Sequence, residues 1–547
     1  MKKTKNYIIG FLIVALIAFI YYYITLPAVN IHSKGFWFFV SFAILVLIGI
    51  VLLKAIGKQG KIIEGNGINI NLKDLVISKP VKFLAALLLL ILLIYIIGSI
   101  LSSPFINARK YQQLLTIEER DFTEDIREVD FNTIPLLDKD SAALLANRKM
   151  GSMVDMVSQF EVSTEYAQIN YHDTPVRVAP LVYASPIKWL TNQANGIPAY
   201  IMIDMTTQNT ECVKLDKGIK YSKSEYFNRN LYRHLRFQYP TYIFDDQISF
   251  EIGEDGVPYW ICPVKKFSIG LFGGQTVGNV VICNAITGEC QDYEVKDVPQ
   301  WVDKVFSAEL LISLYDYSGT LKHGYWNSVL GQKDCLQSTN GYNYIALDDD
   351  VWVYTGVTSV SGDQSNVGFV LMNQRTMETR FYRVEGAIED SAMSSAEGQV
   401  QNLGYHATFP ILLNVADEPT YFMALKDDSG LVKKYAMLNV EKYQWVAIGD
   451  TIKECTKEYV QLLNTNGIVS EKISEVKTIT GRITSIAPVV LEGNTHYYIC
   501  VDGSEDIFTI DMSNSDLVVI VKYHEGDMIT LGYNDELGLN TVVQIGK

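Results

Sequence analysis

Three uninterrupted apolar runs open the chain: Tyr7–Leu26, Gly35–Leu53 and Phe83–Ser103, none of which contains a charged side chain. A helix rises about 1.5 Å per residue, so roughly 20 such residues cover a hydrocarbon core of about 30 Å. The pattern predicts three transmembrane helices and a membrane anchor over residues 1–106. The first run has no small-x-small cleavage site and a second span follows closely, which argues against a signal peptide. Lys2, Lys3 and Lys5 precede the first span, and Lys54, Lys58, Lys61, Lys73, Lys79 and Lys82 fall between the second and third. Lysine excess marks the cytoplasmic side. The N-terminus and the 54–82 loop are therefore expected in the cytoplasm, and residues 104–547 outside it, in a multi-pass cell-membrane protein.

Beyond residue 106 the period changes. Leu114, Leu115, Ile117, Phe122 and Ile126 predict an amphipathic helix over 107–130 that continues from the third span, and 141–157 reads as a second helix. Residues 107–157 thus form a juxtamembrane helical segment. From Phe160 the alternation is that of strands. The clearest hairpin is Val280–Val295, VVICNAITGECQDYEV, where two apolar runs flank Ile286-Thr287-Gly288. The same outline recurs at 200–215, 369–384 and 421–438. Gly196-Ile197-Pro198, Gly256-Val257-Pro258 and, loosely, Glu418-Pro419 lead into three of these hairpins. Helical stretches follow the four hairpins at 222–238, 299–314, 388–400 and 454–463. This grammar predicts small antiparallel sheet-plus-helix modules, two in 158–320 and two in 321–465. The uneven starts disfavour a regular solenoid, and shared turn chemistry alone accounts for some of the likeness.

The last domain, 478–547, reads as five short strands with a helix before the fourth, and Gly526-Asp527 leading into that strand. It resembles an OB-fold barrel. At Gly278–Glu289, GNVVICNAITGE, a strand with Thr287-Gly288-Glu289 at its turn resembles the end of a PepSY-type module. That resemblance implies an extracytoplasmic sheet-plus-helix unit, a family in which some members inhibit or chaperone envelope peptidases. The fold class is thus a membrane-anchored α+β protein with a C-terminal OB-like β-barrel.

Charge narrows the partners. Residues 1–103 hold ten lysines against Glu64 and Asp74, a balance of +8, which leaves 36 basic and 59 acidic residues beyond them, or −23. In the last domain Arg482, Lys522 and Lys547 face ten acids, a balance of −7. Such a field repels phosphate, which excludes nucleic acid as the main ligand even for an OB-like barrel. The expected partners are the lipid bilayer and envelope or membrane proteins, with a homo-oligomer also open.

The sequence contains no Walker loop, Rossmann fingerprint, H-E-x-x-H or G-x-S-x-G. Ser185-Pro186-Ile187-Lys188 matches S-x-x-K without its companion motifs. Asp348-Asp349-Asp350 and Asp245-Asp246 read as solvated turns rather than calcium ligands. The seven histidines are scattered without metal-ligand spacing, so neither a metal nor a cofactor is expected. Cys283 and Cys290 fall opposite each other if the hairpin turns at Ile286-Thr287. The pair is either a cross-strand disulfide or two half-buried thiols. Arg229, Arg233 and Arg236, placed at i, i+4 and i+7 of an expected helix, either hold an anionic ligand or acidic partner or pair with the protein's own carboxylates. The reading as a whole is a non-enzymatic extracytoplasmic scaffold or interaction component of a bacterial cell envelope. The alternative is a membrane-tethered regulator or chaperone-like partner of an envelope peptidase or cell-wall enzyme.

Overall fold

In the computed structural model the first apolar runs form three helices, α1 (Lys2–Thr25), α2 (Lys34–Gln59) and α3 (Lys79–Leu101). The structure describes residues 2–59, 79–126, 137–172, 174–347, 349–360, 365–467, 477–491, 494–504, 506–512, 515–536 and 539–546. The middle of the 54–82 loop, the end of the helix expected over 107–130 and Asp348 lie outside the described residues. Two helices, α2 over Lys34–Lys54 and α3, are long and apolar enough to cross a membrane; α1 adds a shorter apolar stretch, Leu12–Thr25. The chain divides into two compact units, Met1–Glu458 and Tyr459–Lys547.

The first unit continues with α4 (Pro104–Gln112) and α5 (Lys139–Gly151), then four antiparallel meanders. Module 1 contains β1 (Ala167–Tyr171), β2 (Thr174–Tyr183), α6 (Pro186–Asn192), β3 (Ile197–Asp204), β4 (Thr210–Ile219) and α7 (Leu231–Gln238). Module 2 contains β5 (Ser249–Ile252), β6 (Pro258–Ile269), β7 (Gly273–Asn284), β8 (Cys290–Glu294) and α8 (Ala308–Thr320). Module 3 contains β9 (Asn343–Leu347), β10 (Asp350–Ser359), β11 (Ser365–Asn373), β12 (Thr379–Tyr382) and α9 (Glu389–Gln399). Module 4 contains β13 (Ile411–Val415), β14 (Glu418–Lys426), β15 (Val432–Asn439) and β16 (Val446–Gly449), and α10 (Ile452–Thr465) follows it.

The strand sequences carry the stacking of these sheets. In β7, Val281 and Cys283 join the core shared with module 1, while Val280 and Ile282 join the core shared with module 3. In β11, Val370 and Met372 face that second core, and Phe369 and Leu371 face a third, shared with module 4. A strand buried on both faces needs apolar residues at every position, so VVIC and FVLM are continuous rather than alternating.

Three hairpins close on one six-residue turn. The side-chain oxygen of Asp204, Asn284 or Asn373 accepts the N–H groups of the second and third residues after it (Thr206 and Thr207, Ile286 and Thr287, Arg375 and Thr376) at 2.8–2.9 Å. Gln208, Gly288 and Met377 then take left-handed φ values of 61°, 77° and 66°. The hairpin expected at 421–438 joins the second and third strands of module 4, β14 and β15, so it is not the equivalent of the other three; the equivalent turn joins β15 to β16 and departs, with Asn439 accepting from Lys442 instead. In all four, the residue after the Asp or Asn (Met205, Ala285, Gln374, Val440) donates to the carbonyl of Pro175, Pro258, Val351 or Pro419, near the start of each module's second strand. Pro258 and Pro419 therefore correspond to Pro175, whereas Pro198 sits at the start of the third strand.

Three expected helices are corrected. The one over 107–130 stops at Gln112; Glu118–Arg120 adds a parallel strand to β12, and Leu115 and Phe122 enter two different cores. The helix expected at 299 starts at Ala308, because the N–H groups of Val305 and Phe306 are taken by the Gln374 carbonyl (3.0 and 2.7 Å) and Ser307 supplies the cap. The one over 222–238 is broken: residues 227–229 form a 3₁₀ turn with Phe227 at φ 51°, and Asn230 caps α7.

The second unit is a closed barrel of β17 (Lys477–Leu491), β18 (Asn494–Val501), β19 (Ile507–Asp511), β20 (Met528–Glu536) and β21 (Leu539–Gly546), in the order β17-β18-β19-β21-β20. A 3₁₀ helix, Ser515–Lys522, precedes the fourth strand, where the sequence pattern expects a helix. Ile499, Phe508, Ile510, Ile520 and Leu531 fill the interior.

Candidate functional site

Cys283 at the end of β7 and Cys290 at the start of β8 are direct cross-strand partners. The neighbouring Asn284 N–H donates to the Glu289 carbonyl, which makes Cys283–Cys290 the non-hydrogen-bonded pair, where Cα atoms approach to about 4.5 Å. Both are free thiols in the structure, Cys283 buried and Cys290 half-buried.

His234 of α7 completes the cluster. Its ring nitrogen and the two sulfur atoms all lie within 4.8 Å of one another. His234 Nε2 is 2.7 Å from the Gly288 carbonyl, and the Tyr221 ring packs on the imidazole at 4.4 Å. The same Nε2 lies 3.0 Å from the Gln238 side-chain amide nitrogen. Hydrogen bonding from Cys283, aided by His234, pulls the Cys290 thiol down against the opposing effect of burial. The same bond and burial push Cys283 up, and burial pushes up the neighbouring Cys262. Burial works to lower His234, but its bonds to Cys290 and Gly288 outweigh it and the net direction is up. The cluster combines two thiols and an imidazole, a set suited to metal binding or thiol exchange. Sequence reasoning missed His234, which stands 49 positions before Cys283. Its one sequence cue is that Thr287-Gly288-Glu289 and the cysteine pair occur in the same hairpin and no other.

The turn explains that glycine. A Cβ on Gly288 would lie 2.4 Å from the Tyr221 ring, whereas Gln208 and Met377 carry side chains at the equivalent place. Only glycine lets the turn close over Tyr221 and bring its carbonyl to His234.

The arginines neither share one helix nor form ion pairs among the described residues; they bind carbonyls. Arg229 donates to Gln193 (2.6 Å), and Arg233 to Phe227 (2.7 Å) and Tyr23 (3.4 Å), with its guanidinium 4.2 Å from the Tyr23 ring centre. Arg236 is buried and donates to Leu26, Tyr239, Pro240 and Tyr242. Arg233 and Arg236 therefore satisfy carbonyls left open at the C-terminal end of α1.

The remaining candidates are structural. Ser185 caps α6 by accepting from Lys188 N–H. Asp350 is held by Arg375 and Asn373, Asp349 by Asn170 and Gln300, and Asp246 by Lys265.

A cavity of about 550 Å³ opens between modules 1, 2 and 3. Its wall mixes aromatic side chains, among them Tyr166, Tyr342 and Phe250, with Arg177, Lys304, Asp140 and Glu309. Burial pushes the Arg177 and Lys304 pKa values down.

No family model matches the chain, and no curated protein matches it. Among solved structures, a crystal structure of an ACO/RPE65 chimera in a monoclinic form covers 72% of this chain and 66% of its own, at 8% identity and a TM-score of 0.15. A likeness at that level carries no argument about fold or function.

Proposed function

We propose that the protein is a membrane-anchored interaction protein of a bacterial envelope, non-enzymatic, that receives an extended polypeptide segment in the cavity between modules 1, 2 and 3. In this reading α1, α2 and α3 all cross the bilayer, the N-terminus and the 54–82 loop are cytoplasmic, and the modules and the OB-like barrel lie outside. The cavity is the observation that carries it. Aromatic walls interspersed with both signs of charge suit a peptide, whose side chains and backbone present apolar surface, donors and acceptors together.

The anchoring geometry supports the same reading. The β6–β7 loop sits at the ends of the apolar helices, where Phe272 N–H donates to Ser102 Oγ (3.0 Å), His32 Nδ1 meets the Leu271 carbonyl (2.8 Å) and Leu271 fills the notch at Gly98. Together with the two arginines, these contacts hold the modules in a set orientation to the helices, as a presenting scaffold requires.

The test places a photo-crosslinking amino acid at Tyr342, which lines the cavity, and another at exposed Tyr443, outside it. A discrete adduct from Tyr342 alone is expected, and its absence in intact cells sinks the proposal. External protease should reach 104–547, and protection there would overturn the topology. If the captured protein is an envelope peptidase or cell-wall enzyme whose rate changes on binding, the regulator reading replaces the scaffold.

A further inference from the structure

We propose that Cys283, Cys290 and His234 bind a thiophilic divalent metal ion of the zinc class, with a fourth coordination position left for water or an incoming ligand. The donor set is the first argument. Two thiolates and one imidazole form the soft, tetrahedral environment that zinc-class ions favour, and three protein ligands characterise sites that keep a position open.

Geometry is the second. Bonds of about 2.3 Å to sulfur and about 2.0 Å to nitrogen put tetrahedral ligands roughly 3.5–4 Å apart. The three donor atoms already lie within 4.8 Å of one another, so they close on an ion by about an ångström without rebuilding the sheet. The two sulfur atoms share one face because their residues are direct partners on adjacent strands.

The third argument is orientation. Metal-binding histidines commonly donate their second ring N–H to a carbonyl, which fixes the tautomer. The Gly288 carbonyl lies 2.7 Å from His234 Nε2 and holds the ring beside the two thiols. The carbonyl reaches that place because residue 288 is a glycine, in the one copy of the shared turn that has one. The module whose turn carries that glycine is also the module with the paired thiols.

Charge closes the argument. Two thiolates and a neutral imidazole cancel a divalent ion, which suits a half-buried site.

The site is tested with Co²⁺ as probe, on the full-length protein in detergent micelles, reduced and kept anaerobic. One Co²⁺ per chain is expected, with sulfur-to-metal charge-transfer absorption that excess Zn²⁺ abolishes. Cys283→Ser, Cys290→Ser and His234→Ala should each weaken binding by about tenfold or more, a loss at least that of a supporting residue. Cys212→Ser, away from the cluster, should leave it unchanged, and thermal unfolding checks that each variant is folded. Absence of the band in reduced wild type, or its survival in all three ligand variants, overturns the proposal. So does protein isolated with a Cys283–Cys290 disulfide that takes up no Co²⁺ after reduction, which would make the pair a redox couple instead.

Discussion

Arg236 donates its Nε–H to the Leu26 carbonyl at 2.9 Å, across 210 residues of sequence. Leu26 ends the first apolar helix in a left-handed conformation, φ 49°, where carbonyls have no partner within the helix. The same guanidinium binds Tyr239, Pro240 and Tyr242, so one buried cation organises both the helix end and the turn after α7. Arg236→Leu should therefore cost about 2–4 kcal/mol, with Arg236→Lys recovering a part. Unfolding in detergent micelles measures this, and a change under 1 kcal/mol would count against the role.

A second relationship sets pH dependence. Glu251 is buried and takes the N–H groups of Asp303 and Lys304 (2.9 and 3.1 Å), and Asp303 accepts the Asn170 N–H at 2.7 Å. Burial raises both carboxyls, and their mutual repulsion raises Asp303 further. Unfolded carboxyls titrate near 4, so above that pH the folded pair keeps a proton longer than the unfolded chain does. Stability should therefore fall as pH rises from about 5 to about 8. Asp303→Asn should flatten that decline, leaving the part due to Asp316 and Glu389, which burial also raises. Denaturant titrations at the two pH values decide it, and an unchanged slope in Asp303→Asn would refute the assignment.

The shared turn makes a comparative prediction. Asp204→Ala and Asn284→Ala each delete the acceptor of two backbone N–H groups and should cost about 1–3 kcal/mol. Asn373→Ala should cost more than Asn284→Ala, because its amide also donates to Asp350 at 2.8 Å. Equal losses at Asn284 and Asn373 would show that the Asp350 bond adds nothing.

Two left-handed glycines separate strain from collision. Gly404 at φ 67° has open space where a Cβ would go, so Gly404→Ala should cost about 1–2 kcal/mol, the backbone cost alone. Gly288→Ala adds the overlap with the Tyr221 ring and should cost at least about 1 kcal/mol more. Tyr221→Ala in the Gly288→Ala background should be partly compensating, as a double-mutant cycle would measure.

What could be read along the chain was local. The apolar runs marked the first helices, although length and composition qualify two of them as membrane spans. Hairpin chemistry around Thr287-Gly288 placed Cys283 opposite Cys290 in the register observed. The barrel's five strands and the helices 389–399 and 452–465 followed from periodicity, because side-chain alternation and caps act between near neighbours.

The site was decided elsewhere. His234 meets the thiols only because α7 packs on the module 2 sheet, and no spacing rule spans 49 residues. The arginines have the fork that suits carboxylates, yet here they meet the open carbonyls of α1, brought beside α7 by the docking of the β6–β7 loop. Hydrophobic pattern determines which residues leave water, since that choice depends on each side chain alone. Which polar groups meet depends on how separate elements pack, and that is a property of the tertiary structure.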